Sequence, residues 1–564
     1  MKYDFTSIPD RSGKGSAKWD SAKNASTEFV PLSVADMEFP TARPIVEAIK
    51  NVAETQILGY TNPTEEYYNA VVSWMKRRHN FEIKKEWLLQ TPGIINALSM
   101  LIETVTAPSD GVIVMPPVYY PFDMTITATG RHSVFCPLIE NGGRYEIDYK
   151  LLEEKARDIK NTAVLFCNPH NPVGRVWSAE ELARVAEICC NNGVFIIDDE
   201  IHNDLIMPEC RHTVMANIGE RVKNNIAVCT APSKTFNLAG VQCSNIIIPN
   251  DEIRTRALIR NKMNMQMHLN IFAYAACTAA YNECEEWLDE LIEVISDNAK
   301  CVETFMENNF PEIKVYPLEG TYLQWLDMRS LGMTHIELRE MLENAGIYLD
   351  NGEMFGPLGR GFQRINLACA KSTIERMLER FKKAVEAEKA QKKPCGKALE
   401  IGDYFEEINA QKPTLVVFGR AADCRLTEKM LNALKSEYEK FASEGIDIKF
   451  IVPSSSAKRD YPFEIITDSQ AKLYKKYNVF EADSTVYAVA GDKLFEEAVG
   501  SDTKKISESK VFAPTDEKSF RPLQLFVFIG VDENKKVVFS YYSKTIADFP
   551  AFADIIGSLK KHLE

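Results

Sequence analysis

Short runs of aliphatic and β-branched residues alternate with amphipathic helical segments through about the first 390 residues. The runs that we predict as strands are 111–115, 162–167, 194–198, 226–230 and 243–248. Between two of them, residues 178–192 have a helical period, and Ser178 is a suitable N-cap with Glu181 three positions later. This alternation predicts a mostly parallel sheet with helices on both faces. Its ligand site should lie at the carboxyl ends of the strands.

The composition changes near residues 382–397, where a charged stretch ends in Pro394 and Gly396. Such a stretch is typical of a helix end followed by a linker. A second βα pattern follows, with predicted strands at 414–418, 446–452, 525–529 and 537–541 and predicted helices at 426–443 and 549–563. We therefore expect an enzyme-sized domain over 1–390, a linker over 391–400 and a smaller α/β domain over 401–564.

Charge and cysteine usage exclude several classes of protein. The 564 residues include 66 Lys and Arg against 80 Asp and Glu, a net charge of −14. A chain this acidic is a poor general binder of nucleic acids or anionic membranes. Its 13 cysteines are scattered without a CxxC pair, which favours a reducing compartment. No apolar run reaches the ~18 residues that a membrane helix needs, and the first residues lack a signal-peptide core, so we expect a cytoplasmic protein.

Two predicted strands end in residues with catalytic potential. Lys234 follows the strand at 226–230 among small and turn-forming residues. A lysine in an apolar setting can have a depressed pKa and form an imine with a carbonyl group, although most lysines are simply solvated. Asp198 and Asp199 close another apolar strand. A carboxylate there could keep a pyridinium nitrogen protonated, or it could cap the next helix.

Three loops carry further candidates. Asn171 begins the second of two Asn-Pro steps, where its amide could donate to a phenolate oxygen or simply belong to a βα turn. Pro92 and Gly93 precede a helical segment whose free N–H groups could hold a phosphate, but the sequence matches neither a Walker A nor a GxGxxG motif. Tyr119 follows the strand at 111–115, where it could stack on a planar ring or pack within a stiff loop.

The order and spacing of these segments resemble the fold type I pyridoxal-phosphate enzymes of the class I/II aminotransferase family over about residues 1–390. Within that family the sequence is most similar to the MalY/PatB branch, the cystathionine β-lyase-like carbon–sulfur lyases. The similar segments are Val34-Ala-Asp-Met-Glu-Phe39, Gly59-Tyr60, Asn168-Pro-His-Asn-Pro-Val-Gly174, Asp199-Glu-Ile-His202, Ser233-Lys-Thr-Phe-Asn-Leu-Ala-Gly240 and Phe362-Gln-Arg-Ile-Asn-Leu367. The resemblance implies a large lobe over about residues 50–290 and a small lobe built from both ends.

The resemblance also implies pyridoxal 5′-phosphate as the cofactor and a role for each residue around its ring. Lys234 would bind the cofactor as an imine and later move protons. Asp199 would pair with the pyridine nitrogen, and Asn171 would bond the ring hydroxyl oxygen. Tyr119 would stack on the ring, and Tyr120 would take this role if the register differs by one residue.

The remaining implied roles concern the substrate and the phosphate. Arg364 would bind the substrate carboxylate through a bidentate pair. His202 would lie near the ring hydroxyl. The implied phosphate ligands are Gly93, Ile94 and Ile95 through their backbone, Ser233 through its hydroxyl and Tyr60 of the partner subunit, which requires a homodimer.

Two positions depart from the wider family. Gln242 stands where many aminotransferases have a phosphate-binding Arg, and Ala231 stands where they usually have a Ser. Because the lyase branch also tends to lack that Arg, Gln242 favours a lyase. The expected reaction is β-elimination on S-substituted cysteines, which gives a thiol, pyruvate and ammonia. An aminotransferase on the same fold and a MalY-like regulator acting through protein contacts are the alternatives.

The C-terminal region resembles the thioredoxin-fold peroxiredoxin-like group. Residues 414–425 look like that group's first strand and redox-active helix start, 466–477 look like its middle helix, and Pro522 precedes a strand where such folds often have a cis proline. Ala421 replaces the first cysteine of a CxxC motif, so only Cys424 remains. A lone thiol at a helix start can have a lowered pKa, but a redox-inactive module is the interpretation we favour.

Overall fold

The computed structural model describes residues 2–20, 22, 29–266, 268–391, 405, 411–419, 425–452, 461–468, 472–473, 527–542 and 552–560. The chain divides into two compact units, Met1–Lys389 and Ala390–Glu564. Across these described ranges, no helix combines the length and apolar character needed to cross a membrane.

Helices and strands alternate along most of the first unit. Its helices are α1 (Ala17–Asp20), α2 (Arg43–Thr55), α3 (Glu65–His79), α4 (Ile94–Val105), α5 (Pro121–Ala128), α6 (Tyr149–Ala156), α7 (Ala179–Asn192), α8 (Glu220–Lys223), α9 (Pro232–Thr235), α10 (Asp251–Met263), α11 (Ile271–Glu283), α12 (Glu285–Asn309), α13 (His335–Asn344) and α14 (Lys371–Gln391). Its strands are β1 (Val30–Pro31), β2 (Leu88–Thr91), β3 (Gly111–Val114), β4 (His132–Phe135), β5 (Ile139–Asn141), β6 (Arg144–Glu146), β7 (Asn161–Cys167), β8 (Phe195–Asp199), β9 (Ile226–Thr230), β10 (Ser244–Ile247), β11 (Lys314–Val315), β12 (Leu323–Asp327), β13 (Ile347–Tyr348), β14 (Asp350–Asn351) and β15 (Phe362–Asn366).

Seven of these strands form the central sheet, in the order β2-β10-β9-β8-β7-β3-β4. Neighbours from β9 to β4 are parallel, whereas β10 is antiparallel to both β2 and β9. Along β3, Ile113 packs in one apolar cluster and Val112 and Val114 pack in another, so both faces of the sheet are covered. This confirms the predicted mostly parallel α/β fold.

Local sequence signals fix the helix that follows β7. The Ser178 side chain accepts from the backbone N–H of Glu181, and the Glu181 side chain accepts from the backbone N–H of Ser178. This reciprocal capping box starts α7 at the predicted place. Gly193 ends the helix in the left-handed conformation at φ 71°, which glycine adopts without a Cβ penalty.

A smaller sheet lies in the remainder of the first unit. It has the order β11-β12-β15-β14, with every neighbour antiparallel. Asp350 and Arg364 are direct cross-strand partners between β14 and β15. Strand β1 pairs separately with β13, through Val30 with Ile347 and Pro31 with Tyr348.

The second unit contains a five-stranded sheet. Its described elements are β16 (Thr414–Phe418), α15 (Arg425–Ser443), β17 (Asp447–Val452), β18 (Glu464–Thr467), β19 (Val527–Val531), β20 (Val537–Tyr542) and α16 (Phe552–Lys560). The strand order is β18-β17-β16-β19-β20, parallel from β18 to β16 and antiparallel from β16 to β20. Ala421, Cys424 and Pro522 lie outside the described residues.

The predicted helix at 466–477 is wrong at its start. Ile466 pairs with Ile451, and Thr467 pairs with Val452, so these two residues extend β18. A β-branched run beside a buried parallel partner favours the strand over the helix at this point. Most of the rest of that segment lies outside the described residues.

Candidate active site

A cavity of about 150 Å³ lies at the carboxyl ends of the parallel strands. The segments that follow β3, β7, β8 and β9 converge there with the start of α4. Eight predicted site residues line it: Gly93, Ile94, Tyr119, Asn171, Asp199, His202, Ser233 and Lys234. The sheet topology therefore brings together side chains that are up to 141 positions apart in the sequence.

Lys234 lies in the single turn of α9, directly after β9. Its Nζ donates to the backbone carbonyl of Ala35 at 2.7 Å. Burial, reinforced by the charge of Arg364, lowers the pKa of Lys234 to about 8. A substantial fraction of this amine is therefore neutral near pH 7–8, which suits it to act as a nucleophile and as a base.

Asp199 ends β8 and also lines the cavity. Burial raises its pKa to about 7, and its Oδ1 accepts from the backbone N–H of Ile201 at 3.2 Å. A cation placed in the cavity would stabilise the carboxylate form. The helix-cap alternative for Asp198 and Asp199 is wrong, because the described segment after β8 is a turn, with no helix beginning there.

Asn171 and His202 supply polar groups beside these two residues. The Asn171 Oδ1 accepts from Arg364 Nη1 at 2.7 Å, which leaves the amide NH₂ as the end of this side chain that can donate to a ligand. Burial, followed by the nearby charges of Lys234 and Arg364, lowers the pKa of His202 well below its usual value. Its ring is therefore neutral, and within the described chain its buried Nδ1 has no hydrogen-bond partner.

Tyr119 supplies the aromatic wall. It lines the cavity, and burial raises the pKa of its phenol to about 12, so the hydroxyl stays protonated. Tyr120 is not part of the lining and is 36% exposed, with its ring centroid 5.6 Å from that of Tyr119. The structure thus places the first of the two tyrosines, not the second, at the cavity.

The start of α4 provides the anion-binding end of the cavity. Gly93 is the N-cap residue at φ 91°, a conformation that residues with a Cβ rarely adopt. The first-turn N–H groups of a helix lack intrahelical acceptors and favour a negative charge. Ser233 and Gln242 also line the cavity. Ile95 lies in the same first turn, but it is not part of the lining and is 37% exposed.

An amine, a carboxylate, an aromatic wall, amide donors and a helix N-terminus converge on one cavity. This donor set matches an aldehyde, a ring nitrogen, a planar ring, a ring hydroxyl and a phosphate. His202 also lines the cavity, and its buried Nδ1, which has no hydrogen-bond partner among the described residues, provides a further polar atom. The residues present therefore fit pyridoxal 5′-phosphate.

Arg364 borders the cavity without lining it. It lies on β15 and is 4% exposed. Its Nη1 donates to Asn171, and its Nη2 forms a close ion pair with Asp350 Oδ2. The guanidinium carbon also lies 4.7 Å from the centroid of the Phe355 ring. These contacts hold the cation in one orientation next to the cavity.

Tyr60 does not line the cavity of its own chain. It lies between α2 and α3 and is fully exposed, as is much of the adjacent Ile57 and Leu58. A contiguous exposed apolar segment of this kind is typical of a protein interface.

Sequence reasoning missed the roles of Ala35 and Asp350. Ala35 lines the cavity, and its carbonyl accepts from both Lys234 Nζ and Tyr322 OH, the latter at 2.8 Å. Its segment is fixed by Asn366, whose Nδ2 donates to the carbonyls of Val34 and Asp36 at 2.7 and 2.6 Å. The segment Val34–Phe39 was a recognisable motif without an assigned role, whereas Asp350 offered no local signal.

The first unit of the chain is similar to known proteins. The model of the family described as aminotransferase class I and II matches residues 27–381. Cystathionine beta-lyase PatB of Bacillus subtilis (strain 168) is 39% identical over 384 residues, covering 68% of this chain and 99% of its own. Protein MalY of Escherichia coli (strain K12) is 29% identical over 379 residues, covering 66% and 96%.

Two solved structures extend the comparison. Cystalysin from Treponema denticola, which contains a pyridoxal 5′-phosphate cofactor, is 45% identical with a TM-score of 0.67 and covers 69% of this chain and 100% of its own. The pyridoxal-phosphate-bound C–S lyase from Staphylococcus hominis is 32% identical with a TM-score of 0.63 and covers 68% and 98%.

Proposed function

Because the chain belongs to the aminotransferase class I and II family, we propose that it is a pyridoxal 5′-phosphate-dependent carbon–sulfur lyase acting on S-substituted cysteines such as cystathionine. The observation that carries this proposal is the convergence of Lys234, Asp199, Asn171 and Tyr119 on one cavity. The similarity to proteins named as cystathionine β-lyase and C–S lyase favours elimination over amino transfer.

The chain offers a specific residue to each part of the cofactor. Lys234 would bind its aldehyde carbon, and Asp199 would hold a proton at the ring nitrogen. Asn171 would donate to the ring oxygen, and Tyr119 would cover one face of the ring. Bound in this way, pyridoxal phosphate would supply an electron sink for negative charge that develops at the substrate Cα. The phosphate would lie at the start of α4, with Gly93, Ile94, Ile95 and Ser233.

The chain's own residues would then handle the substrate. Arg364 would orient the substrate carboxylate through charge-assisted hydrogen bonds. The Lys234 amine would remove the Cα proton, and its depressed pKa keeps part of it in the neutral form required for this step. Loss of the β-thiolate, followed by hydrolysis, converts one S-substituted cysteine and one water into a thiol, pyruvate and ammonia.

The site is proposed to be completed by a second copy of the chain. Tyr60 of the partner subunit would reach the phosphate. The exposure of Ile57, Leu58 and Tyr60 supports an interface at this segment. Because Tyr60 does not line the cavity of its own chain, this role requires that two chains pair.

The second unit is proposed to be a thioredoxin-like module without redox activity. Its sheet, with parallel strands continued by an antiparallel pair, supports this assignment. The division of the chain at residues 389 and 390 supports a first domain over 1–390 with a linker over 391–400 before the module. The free state of every described cysteine supports a cytoplasmic location.

The absorbance spectrum of the purified protein tests the proposal. After incubation with pyridoxal phosphate and dialysis, the wild type should retain a visible cofactor band that an S-substituted cysteine perturbs. Lys234→Ala should lose the band, whereas Lys50→Ala, which removes an exposed lysine, should retain it. A wild type that retains no cofactor would contradict the proposal. A band that one equivalent of amino acid abolishes permanently would indicate an aminotransferase.

A further inference from the structure

A buried polar cluster lies next to the cavity without lining it. We define the Asp204 cluster as Asp204, Trp74, His79 and Thr235. The side chains of Asp204 and His79 are 2% and 5% exposed, and Trp74 and Thr235 are equally buried. The mechanism above uses none of these four residues, so their role requires a separate explanation.

The Asp204 carboxylate is the centre of the cluster. Trp74 Nε1 donates to Oδ1 at 3.0 Å, and His79 Nε2 lies 2.7 Å from the same oxygen. Thr235 Oγ1 donates to Oδ2 at 2.7 Å. Both carboxylate oxygens are therefore bonded, and their partners come from α3 and α9.

The carboxylate is charged despite its burial. Burial alone would raise the pKa of Asp204, but the hydrogen bonds and charges around it, from His79, Thr235 and Arg78, lower the pKa below its ordinary value. A buried charge is tolerated only while its donors stay in place. Asp204 therefore restrains the positions of the groups that donate to it.

One of those donors belongs to the residue that directly follows Lys234 in the chain. Thr235 follows Lys234 in α9, a helix of four residues that no described side chain caps at its start. Asp204 lies in the same turn as His202, two residues after that cavity residue. The bond between Thr235 and Asp204 thus joins the turn that carries Lys234 to the turn that follows Asp199.

We infer that Asp204 is a positioning residue that, through Thr235, holds Lys234 in register with Asp199 and His202. This inference rests on the proposed function, in which Lys234 is the group that binds the cofactor and moves the proton. Small displacements of a reacting group cost large factors in rate. Without the Thr235 hydroxyl, the short α9 turn would keep its backbone contacts but lose its tie to the neighbouring turn.

The test compares three threonine variants. Thr235→Val removes the hydroxyl at nearly constant volume, and Thr235→Ser restores it. Thr104→Val is the matched control, because Thr104 is also buried but its hydroxyl bonds only within its own helix region, to Met100. For each holoenzyme, kcat, KM and the thermal unfolding midpoint are measured with one S-substituted cysteine.

We expect Thr235→Val to lower kcat about 10-fold or more with less than a twofold change in KM, because a misplaced amine slows proton transfer rather than substrate binding. Thr235→Ser should stay within about threefold of the wild type. Thr104→Val should lower the unfolding midpoint without lowering kcat. If Thr235→Val loses stability but keeps kcat within about twofold, the bond is structural only and the inference is overturned.

A second measurement does not depend on the lyase reaction. In the cofactor-free protein, the rate at which an amine-acylating reagent labels Lys234 is followed by peptide mass spectrometry. Thr235→Val should change this rate at least threefold, on the order of the loss of one buried hydrogen bond, while Thr235→Ser and Thr104→Val should not. Equal rates in all four proteins would overturn the inference even if the wild type were an active lyase. A changed rate in a protein without lyase activity would refute only the proposed function.

Discussion

Replacing Arg364 alone, and Arg364 together with Asp350, separates the contribution of their buried pair to stability from the role of Arg364 in substrate binding. Asp350 is 6% exposed and faces Arg364 directly across the sheet. Arg364→Met would leave this carboxylate without its counter-ion. Breaking a buried pair in this way costs about 3–5 kcal/mol, whereas replacing both partners by apolar residues is often nearly neutral. Arg364→Met/Asp350→Leu should therefore recover most of the lost stability.

Substrate binding should not recover with stability. Both variants lack the guanidinium, and charge-assisted hydrogen bonds contribute about 1.5–3 kcal/mol. At 1.4 kcal/mol per factor of ten, KM should rise about 10- to 100-fold in the single and the double variant alike.

Tryptophan fluorescence measures the stability of these variants. All six tryptophans lie within residues 19–325, so denaturant unfolding followed by tryptophan fluorescence reports on the first unit alone. Initial rates against substrate concentration give KM for the same proteins. If the double variant recovers KM together with stability, Arg364 is a structural residue and the carboxylate must bind elsewhere.

Three further predictions concern the charge, assembly and second unit. In the cofactor-free protein, burial holds the pKa of Asp199 near 7, above its unfolded value of 3.8, so its stabilising contribution is lost as pH rises. Between pH 5 and 8 the wild type should lose about 3 kcal/mol more unfolding free energy than Asp199→Asn; parallel pH profiles would refute this. Tyr60→Ala should weaken cofactor binding about 10-fold. A heterodimer of one Tyr60→Ala chain and one Lys234→Ala chain should regain one tight cofactor site. If Tyr60 acts within its own chain, no tight site will form in this heterodimer. Cys424→Ser should leave β-elimination within about twofold of the wild type, because the described site is built in the first unit; a larger loss of turnover would show that the thiol takes part.

Three of the predicted site residues that line the cavity follow runs predicted as buried strands. Lys234, Asp199 and Asn171 each come after a run of apolar residues that the sequence marks as a strand. Once those strands are parallel neighbours, their carboxyl ends share one edge, so the side chains must meet. Local sequence and one rule of sheet topology were therefore sufficient to predict that these three side chains meet.

The residues missed depend on tertiary packing. Ala35 comes from a segment about 200 residues before Lys234, and its backbone carbonyl, not its side chain, makes the contact. Asp350 lies on a strand of two residues, too short to produce a periodic signal. The edge strand β2 was also missed, because four residues with no clear alternation resemble a loop. Tertiary packing, not local secondary-structure propensity, determines the Ala35 contact, the position of Asp350 and strand β2.

In the second unit, one strand could be predicted from its own residues and another could not. The strand at 414–418 was predicted with its observed ends, because five consecutive β-favouring residues form it. Residues 464–467 became a strand through pairing with β17, a long-range contact that the segment itself does not encode.

We propose that one cavity converts a single amino-acid substrate without needing a second substrate. The most direct test is the turnover of cystathionine or another S-substituted cysteine by the purified holoenzyme with no 2-oxo acid present. We predict that pyruvate and thiol appear in equal amounts and in many-fold excess over the enzyme sites. Release that stops at or below one equivalent per site, and resumes only when a 2-oxo acid is added, would contradict it.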